Sequence, residues 1–242
     1  MARQARFISP GRAHLVQLQA ATGVQPLAAA LQRDRLLAWM AEGLDTTAVH
    51  LHAYAILPQT VWLLLTPDAA PDLSSFVQGL ARRTSRAQER AHRDGRSTLS
   101  APRAPVWAGR FRSAVVQAGE WELAAMVWID RAAERAGAVA DGAVWPWSSR
   151  AAHCGEAVVG TSAPTLTFPS VYWDLGNTPF AREAAYCERL HQGLSAATVH
   201  ALQNSLRSGA AVGERVFLQQ LEADSGRRVF PAKRGRPRMN VA

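Results

Sequence analysis

At 242 residues, 48% of them hydrophobic, the chain is long enough to bury a core of its own. No apolar run approaches the ~20 residues that span a bilayer, and the opening MARQARFISPGR lacks the apolar stretch of a secretory leader, so the expected location is the cytoplasm, with no membrane partner. The net charge of +8 is carried by 26 arginines and a single lysine, Lys233. A short strand is predicted over residues 13–19, after the turn-forming Pro10-Gly11. Leu27, Leu31, Leu36, Leu37 and Met40 then recur at helical spacing. Val49 to Leu57 alternates as a strand, and Pro58-Gln59 turns the chain into a second strand through Leu65, a hairpin by its short connection. Leu73, Phe76, Val77 and Leu80 mark a helix running to Arg93, with Asp72 as its expected N-cap. After a loop rich in Gly, Ser and Pro, Arg110–Gln117 reads as a strand and Glu120–Arg135 as a helix.

This β-α-β-β-α-β-α order predicts an α+β fold, a ferredoxin-like β-α-β-β-α-β antiparallel sheet with its helices on one face. The expected organisation is an α+β domain over 1–152, a linker over 153–179, a helical region over 180–226 and a basic tail over 227–242. Within the helical region, helices are predicted over about 180–194, 195–208 and 214–224, with Ser195 capping the middle one. This region resembles a helix-turn-helix appendage, a likeness that would set the polar positions Gln203, Asn204 and Arg207 toward a major groove. Cys154 and Cys187 show no metal-ligand or redox spacing and are expected as free thiols.

The positive charge is clustered. Residues 82–112 hold nine arginines against Glu89 and Asp94, and residues 227–238 hold six basic residues and no acid. Such clustering suits a phosphate-binding surface. Arg82, Arg83, Arg86, Arg90 and Arg93 fall on one broad face of the predicted helix. Arg110 and Arg112, two apart on the predicted strand, are expected on a shared face. Lys233, Arg234, Arg236 and Arg238 surround a Gly and a Pro, an arrangement similar to the Arg-Gly-Arg-Pro core of AT-hook peptides, which enter narrow A·T minor grooves.

Five segments together resemble one family. Phe7-Ile-Ser-Pro-Gly-Arg-Ala-His14, His52-Ala-Tyr-Ala-Ile-Leu-Pro58, Trp107-Ala-Gly-Arg-Phe-Arg-Ser113, Arg135-Ala-Gly137 and Trp145-Pro-Trp-Ser-Ser149 stand in the order found in the REP-associated tyrosine transposases. These are bacterial relatives of the single-tyrosine HUH (IS200-like) transposases. The resemblance implies a hairpin or palindromic-repeat DNA partner, action as a dimer, and a nucleoid-associated role. It also implies two strand histidines holding a divalent metal and a helix tyrosine that attacks phosphorus. This chain departs at each of those places. Thr60 and Trp62 occupy the histidine positions, Trp128 the tyrosine position, and Gln19-Ala20-Ala21 a segment usually read Arg-Gly-Asn. A hydroxyl and an indole N–H offer a metal nothing comparable to imidazole, and an indole is no nucleophile for phosphorus.

The resemblance therefore implies a catalytically degenerate member that binds DNA without cleaving it, with no cofactor. Two alternatives stand beside it. One is an active nuclease with displaced residues, using Mg²⁺ or Mn²⁺ at the His50/His52 pair, whose spacing would place both imidazoles on one strand face. The other is a homodimer or heterodimer partner of an active paralogue. Trp62 and Trp128 have two readings: rings that plug the vacated pocket by packing, or rings that stack on an unpaired base.

Overall fold

The computed structural model describes residues 6–95, 105–156 and 163–230. The succession is β1 (His14–Gln19), α1 (Ala30–Thr46), β2 (Val49–Ile56), β3 (Thr60–Pro67), α2 (Ala70–Arg93), β4 (Arg112–Val115) and α3 (Glu120–Asp130). The short α4 (Ala132–Arg135), α5 (Arg150–His153) and α6 (Ser170–Trp173) follow, then α7 (Pro179–Gln192), α8 (Ala196–Ser208) and α9 (Arg215–Ser225). The sheet order is β2-β3-β1-β4, and every neighbouring pair is antiparallel. Each crossover helix carries the chain past one strand position, so β3 lies between β1 and β2, and β1 between β3 and β4. That is the ferredoxin-like arrangement expected from the element order.

Both faces of the sheet are covered. Leu63, Leu64 and Leu65 are each fully buried, and successive strand side chains point to opposite faces. Leu63 and Leu65 pack with Val16 and Leu18 beneath α1 and α2. Leu64 packs with Leu15, Ala53 and Ala55 beneath α3, joined by Tyr186 of α7 and Leu202 of α8. The two crossover helices thus share one face as expected, while α3 and the C-terminal helices close the other. Burial of each such leucine contributes roughly 1.5–3 kcal/mol. Gly43 lets α1 approach α2 closely, because a Cβ there would lie 2.9 Å from the Phe76 ring.

The sheet edges are also protected, as strand edges require. Along β2, the Ile56 N–H donates to the Trp147 carbonyl (2.8 Å) and the Ser149 N–H to that of Tyr54 (2.9 Å). The Trp145–Ser149 motif therefore acts as an added strand fragment. Along β4, the Val212 N–H donates to the Val115 carbonyl (2.8 Å) and the Gln117 N–H to that of Val212 (2.9 Å).

Several local expectations are corrected. The α2 helix starts before Asp72, which sits at the third helical position and accepts from the Ala69 N–H at 3.0 Å. Strand β4 is shorter than 110–117 and excludes Arg110. Gly109, at φ +124°, turns the chain just ahead of it. The helix predicted over 120–135 is interrupted at Arg131 (φ −88°, ψ 9°). Cys154 and Cys187 are not free thiols; they are joined as a disulfide between the end of α5 and α7. Only the packing of α7 against α5 brings them together, so chain spacing carries no trace of the pairing. The helix boundaries of α7 to α9 match expectation within a few residues, and Ser195 does cap α8, its hydroxyl accepting from the Thr198 N–H at 3.1 Å.

Candidate nucleic-acid interface

Strand register lays out the candidate site. Gln17 of β1 pairs with Trp62 of β3 on one side and with Arg112 of β4 on the other. Paired residues share a face, so Trp62, Gln17 and Arg112 form one row across three strands. The adjacent row, Leu64, Leu15 and Ala114, is buried. The row on the other side, Thr60 and Gln19, forms the rim. Here α3 and α8 diverge from the sheet and leave an open cleft of about 670 Å³. Thr60, Trp62, Arg112, Trp128, Arg135 and Arg207 line it, with Gln17 and Gln203 between them.

Trp62 and Trp128, 66 positions apart in sequence, meet here edge to face, with ring centroids 4.6 Å apart and planes at 75°. Their surroundings differ. Trp128 is only 3% exposed, with the Arg135 guanidinium 4.4 Å from its ring centroid. Arg135 also donates to the Trp128 carbonyl, and the indole N–H has no hydrogen-bond partner among the described residues. Burial first, and then neighbouring Arg131, lower the Arg135 pKa to about 10, against an opposing pull from Glu134; the group remains charged at neutral pH. Trp62 is only partly buried and lines the open cleft. Thr60 donates its hydroxyl to Gln19 Oε1 at 2.9 Å.

The cleft does not fit a divalent metal. Among the described residues no carboxylate, imidazole or thiol lines it, and three guanidinium groups do. Nor does a tyrosine reach it. Tyr54, Tyr172 and Tyr186 are buried at 3%, 2% and 0% exposure, and burial raises all three pKa values, that of Tyr172 to about 12.

The His50/His52 pair does not form a shared site. A β-bulge between Leu51 and Ala53 breaks the alternation that would align the two rings. His50 is half exposed and contacts Asp68 at 3.1 Å. His52 is buried, its ring nitrogens engaged by the Thr167 carbonyl (2.6 Å) and the Thr66 hydroxyl (2.7 Å). Burial, as the largest cause, lowers its pKa.

A buried polar network that sequence reasoning missed lies behind the cleft. Asp130, at the end of α3, accepts from Ser149 Oγ (2.5 Å) and Tyr186 OH (2.7 Å). The ring nitrogens of His153 reach Asp130 Oδ2 (2.6 Å) and the His52 carbonyl (2.9 Å). All four side chains are essentially inaccessible. The network ties α3, the Trp145–Ser149 motif, α5 and α7 into one body, and so holds Trp128 in place. Its trace in the sequence is Ser149, the last residue of that motif.

Of the predicted DNA-contacting arginines, Arg112 lines the cleft and Arg110 lies beside it, lining an adjoining pocket with Arg112. Arg82, Arg83, Arg86 and Arg90 are exposed on α2, which packs against the opposite face of the sheet; Arg83 pairs with Glu42 at 2.5 Å. Lys233, Arg234, Arg236 and Arg238 lie outside the described residues. Gln203 and Arg207 face the cleft, and Arg207 donates to Asn204 Oδ1 at 2.7 Å.

No protein-family profile matches the chain, and no curated protein does. Among solved structures, the chain is similar to a REP-associated tyrosine transposase bound to a REP hairpin. The identity is 16% and the TM-score 0.50, over 69% of this chain and 99% of that one. A candidate transposase from Deinococcus radiodurans is similar at 18% identity and a TM-score of 0.33, over 49% of this chain and 88% of that one. At such identities the likeness is one of fold.

Proposed function

We propose that this protein is a catalytically degenerate relative of the REP-associated tyrosine transposases, which binds hairpin or repeat DNA and does not cut it. One observation carries the reading. At the place where the resembled family keeps its metal and nucleophile, the cleft holds two tryptophans in edge-to-face contact and three arginines, with no anionic ligand among the described residues. Guanidinium groups of this kind suit backbone phosphates. The partly exposed Trp62 adds a π-face for an unpaired base, and Trp128 fills the vacated space by packing. The fold shared with a transposase solved on a REP hairpin supports the choice of ligand. The exposed arginines of α2 extend the basic surface to the opposite side of the molecule.

A gel shift with hairpin DNA over a salt series tests the binding half. Affinity should fall steeply with salt, and Arg112→Ala with Arg207→Ala should weaken it at least tenfold. No binding to any hairpin DNA refutes the reading. Incubation with single-stranded hairpin DNA and Mn²⁺ tests the other half: neither cleavage nor a covalent protein–DNA adduct should form, and an adduct overturns it.

A further inference from the structure

Two cysteines and two carboxylates converge where α5 meets α7. The α5 helix ends at its C-cap, Cys154, and the chain turns at Gly155 in the left-handed region (φ +68°). The Glu156 N–H donates to the Ala151 carbonyl at 2.8 Å, which holds Glu156 beside the helix end. On α7, Glu183 and Cys187 stand four positions apart and so share a face. The Cα atoms of Cys154 and Cys187 are 5.6 Å apart. Both sulfurs and a carboxylate oxygen of Glu156 lie within 4.8 Å of one another. Glu183 completes the group: a Cβ on Gly155 would overlap its carboxylate, so that glycine leaves the space which the carboxylate fills.

Neither Glu156 nor Glu183 enters an ion pair among the described residues. Like charges at one turn repel, weakly where solvent screens them, and a cation between them reverses the sign. Thiolate sulfur and carboxylate oxygen together make the donor set of a tetrahedral zinc ion. Zn–S distances of about 2.3 Å and Zn–O distances of about 2.0–2.2 Å put two zinc-bound sulfurs about 3.8 Å apart. The spacing of these side chains is compatible with that geometry once the sulfur–sulfur bond is broken. Glu156 is exposed and both cysteines are half-buried, so ion and reductant have a path in.

We propose that the reduced Cys154 and Cys187 pair, together with Glu156 and Glu183, is a zinc site, so that this corner of the molecule exchanges a disulfide for a metal ion. Opening the disulfide takes two electrons and two protons. An external dithiol supplies them: it attacks one sulfur, passes through a mixed disulfide and leaves as its own disulfide. Zinc then displaces both thiol protons to solvent and binds two thiolates. In either form the pair pins α5 to α7. His153 and Tyr186, each next in the chain to one of the cysteines, are both hydrogen-bonded to Asp130, so the pin supports the network behind the cleft. None of the four ligands lines the cleft, and the site stands whether or not the cleft binds DNA.

Cobalt titration of the full chain, reduced with a phosphine that leaves no competing thiol, tests it. One Co²⁺ per chain is expected, with a thiolate-to-metal charge-transfer band in the near ultraviolet and the strong visible bands of a tetrahedral centre. Zn²⁺ should displace the cobalt and abolish the colour, and the chain oxidised to the disulfide should show neither band. Zinc should raise the melting temperature of the reduced chain and leave that of the oxidised chain unchanged, since the ion binds only the reduced native form. Glu156→Gln combined with Glu183→Gln keeps both side-chain volumes and should weaken zinc binding by roughly tenfold or more, because it removes two charged oxygen ligands. Competition with a chromophoric chelator measures that loss, and circular dichroism checks that the variant is folded. Absence of the charge-transfer band in the reduced chain overturns the site. So does a band that persists in Cys154→Ser combined with Cys187→Ser. Equal zinc affinity in the carboxylate double variant overturns the four-ligand assignment.

Discussion

Replacing Trp128 by alanine separates the packing role of this ring from any contact with DNA. The side chain is 3% exposed, and a buried tryptophan removes on the order of 200 Å² from water. At about 25 cal/mol per Å² that burial is worth about 5 kcal/mol. Alanine retains a small part of it, and the measured range for such truncations is about 3–5 kcal/mol. The edge-to-face contact with Trp62 adds about 1 kcal/mol. Against this, the indole N–H lacks a partner, and its removal relieves about 1 kcal/mol or more of unmet hydrogen bonding. The net expectation is a loss of about 3–4 kcal/mol in urea unfolding monitored by circular dichroism. Trp128→Phe removes the same unmet N–H while keeping most of the ring, so it should cost less than half as much. A loss below about 1 kcal/mol for Trp128→Ala would refute the view that this ring fills the pocket and would return it to the surface as a DNA contact.

Trp62→Ala should give the complementary result: a modest stability loss of about 1–2 kcal/mol, with hairpin affinity reduced by about 1–3 kcal/mol if one base stacks there, read by gel shift. The salt dependence of binding should lose close to one counterion per arginine removed at Arg112 or Arg207; an unchanged slope places the phosphates elsewhere. Asp130→Asn should cost about 1–3 kcal/mol in the same unfolding assay, because it disturbs the buried acceptor shared by Ser149, Tyr186 and His153; a near-neutral effect would show that the network does not hold α3 in place. Acid should destabilise the protein through His14, whose pKa burial lowers from 6.5 to about 4. The unfolded chain binds a proton that the folded ring refuses, so this stability is full above about pH 6.5. It is lost as pH falls through that window, to an extent of about 3 kcal/mol. Unfolding midpoints from pH 7.5 to 4.5 measure it, and an uncharged His14→Gln variant should show a shallower slope; identical slopes remove His14 as the cause.

Most of the scaffold was legible because its signals are local. Leu63-Leu64-Leu65 announces a strand buried on both sides, and the element order announces the sheet topology. The strand period alone places Thr60 and Trp62 on one face. That Trp128 meets Trp62 is a tertiary fact, and the sequence reached it only through resemblance to a family whose metal and nucleophile sit together. Arg135 stood out only as part of the Arg135-Ala-Gly137 segment of the resemblance and Gln17 had no signal at all, since each matters at the cleft only through what the fold sets opposite it. The disulfide was missed for the same reason. The histidine pair failed differently: its spacing implies one face, but the bulge at His52 breaks the rule from which that inference is drawn.

The character of the cleft follows from packing and electrostatics together. A metal site needs ligands that donate lone pairs to a cation and surroundings that tolerate its charge. Here the indoles of Trp62 and Trp128 occupy the space, and Arg112, Arg135 and Arg207 set the sign of the field. At about 4 Å two unit charges interact by ~1 kcal/mol in water and by ~4 kcal/mol near a protein surface. Guanidinium groups lining one cleft therefore oppose a dication and favour a phosphate. Trp128 is anchored through α3 to the Asp130 network, so the ring cannot leave the pocket without disturbing α5 and α7 as well. The side chains that offer a metal no ligand are also ones that could hold a polyanion, and packing and charge therefore both support the proposal of binding without cutting.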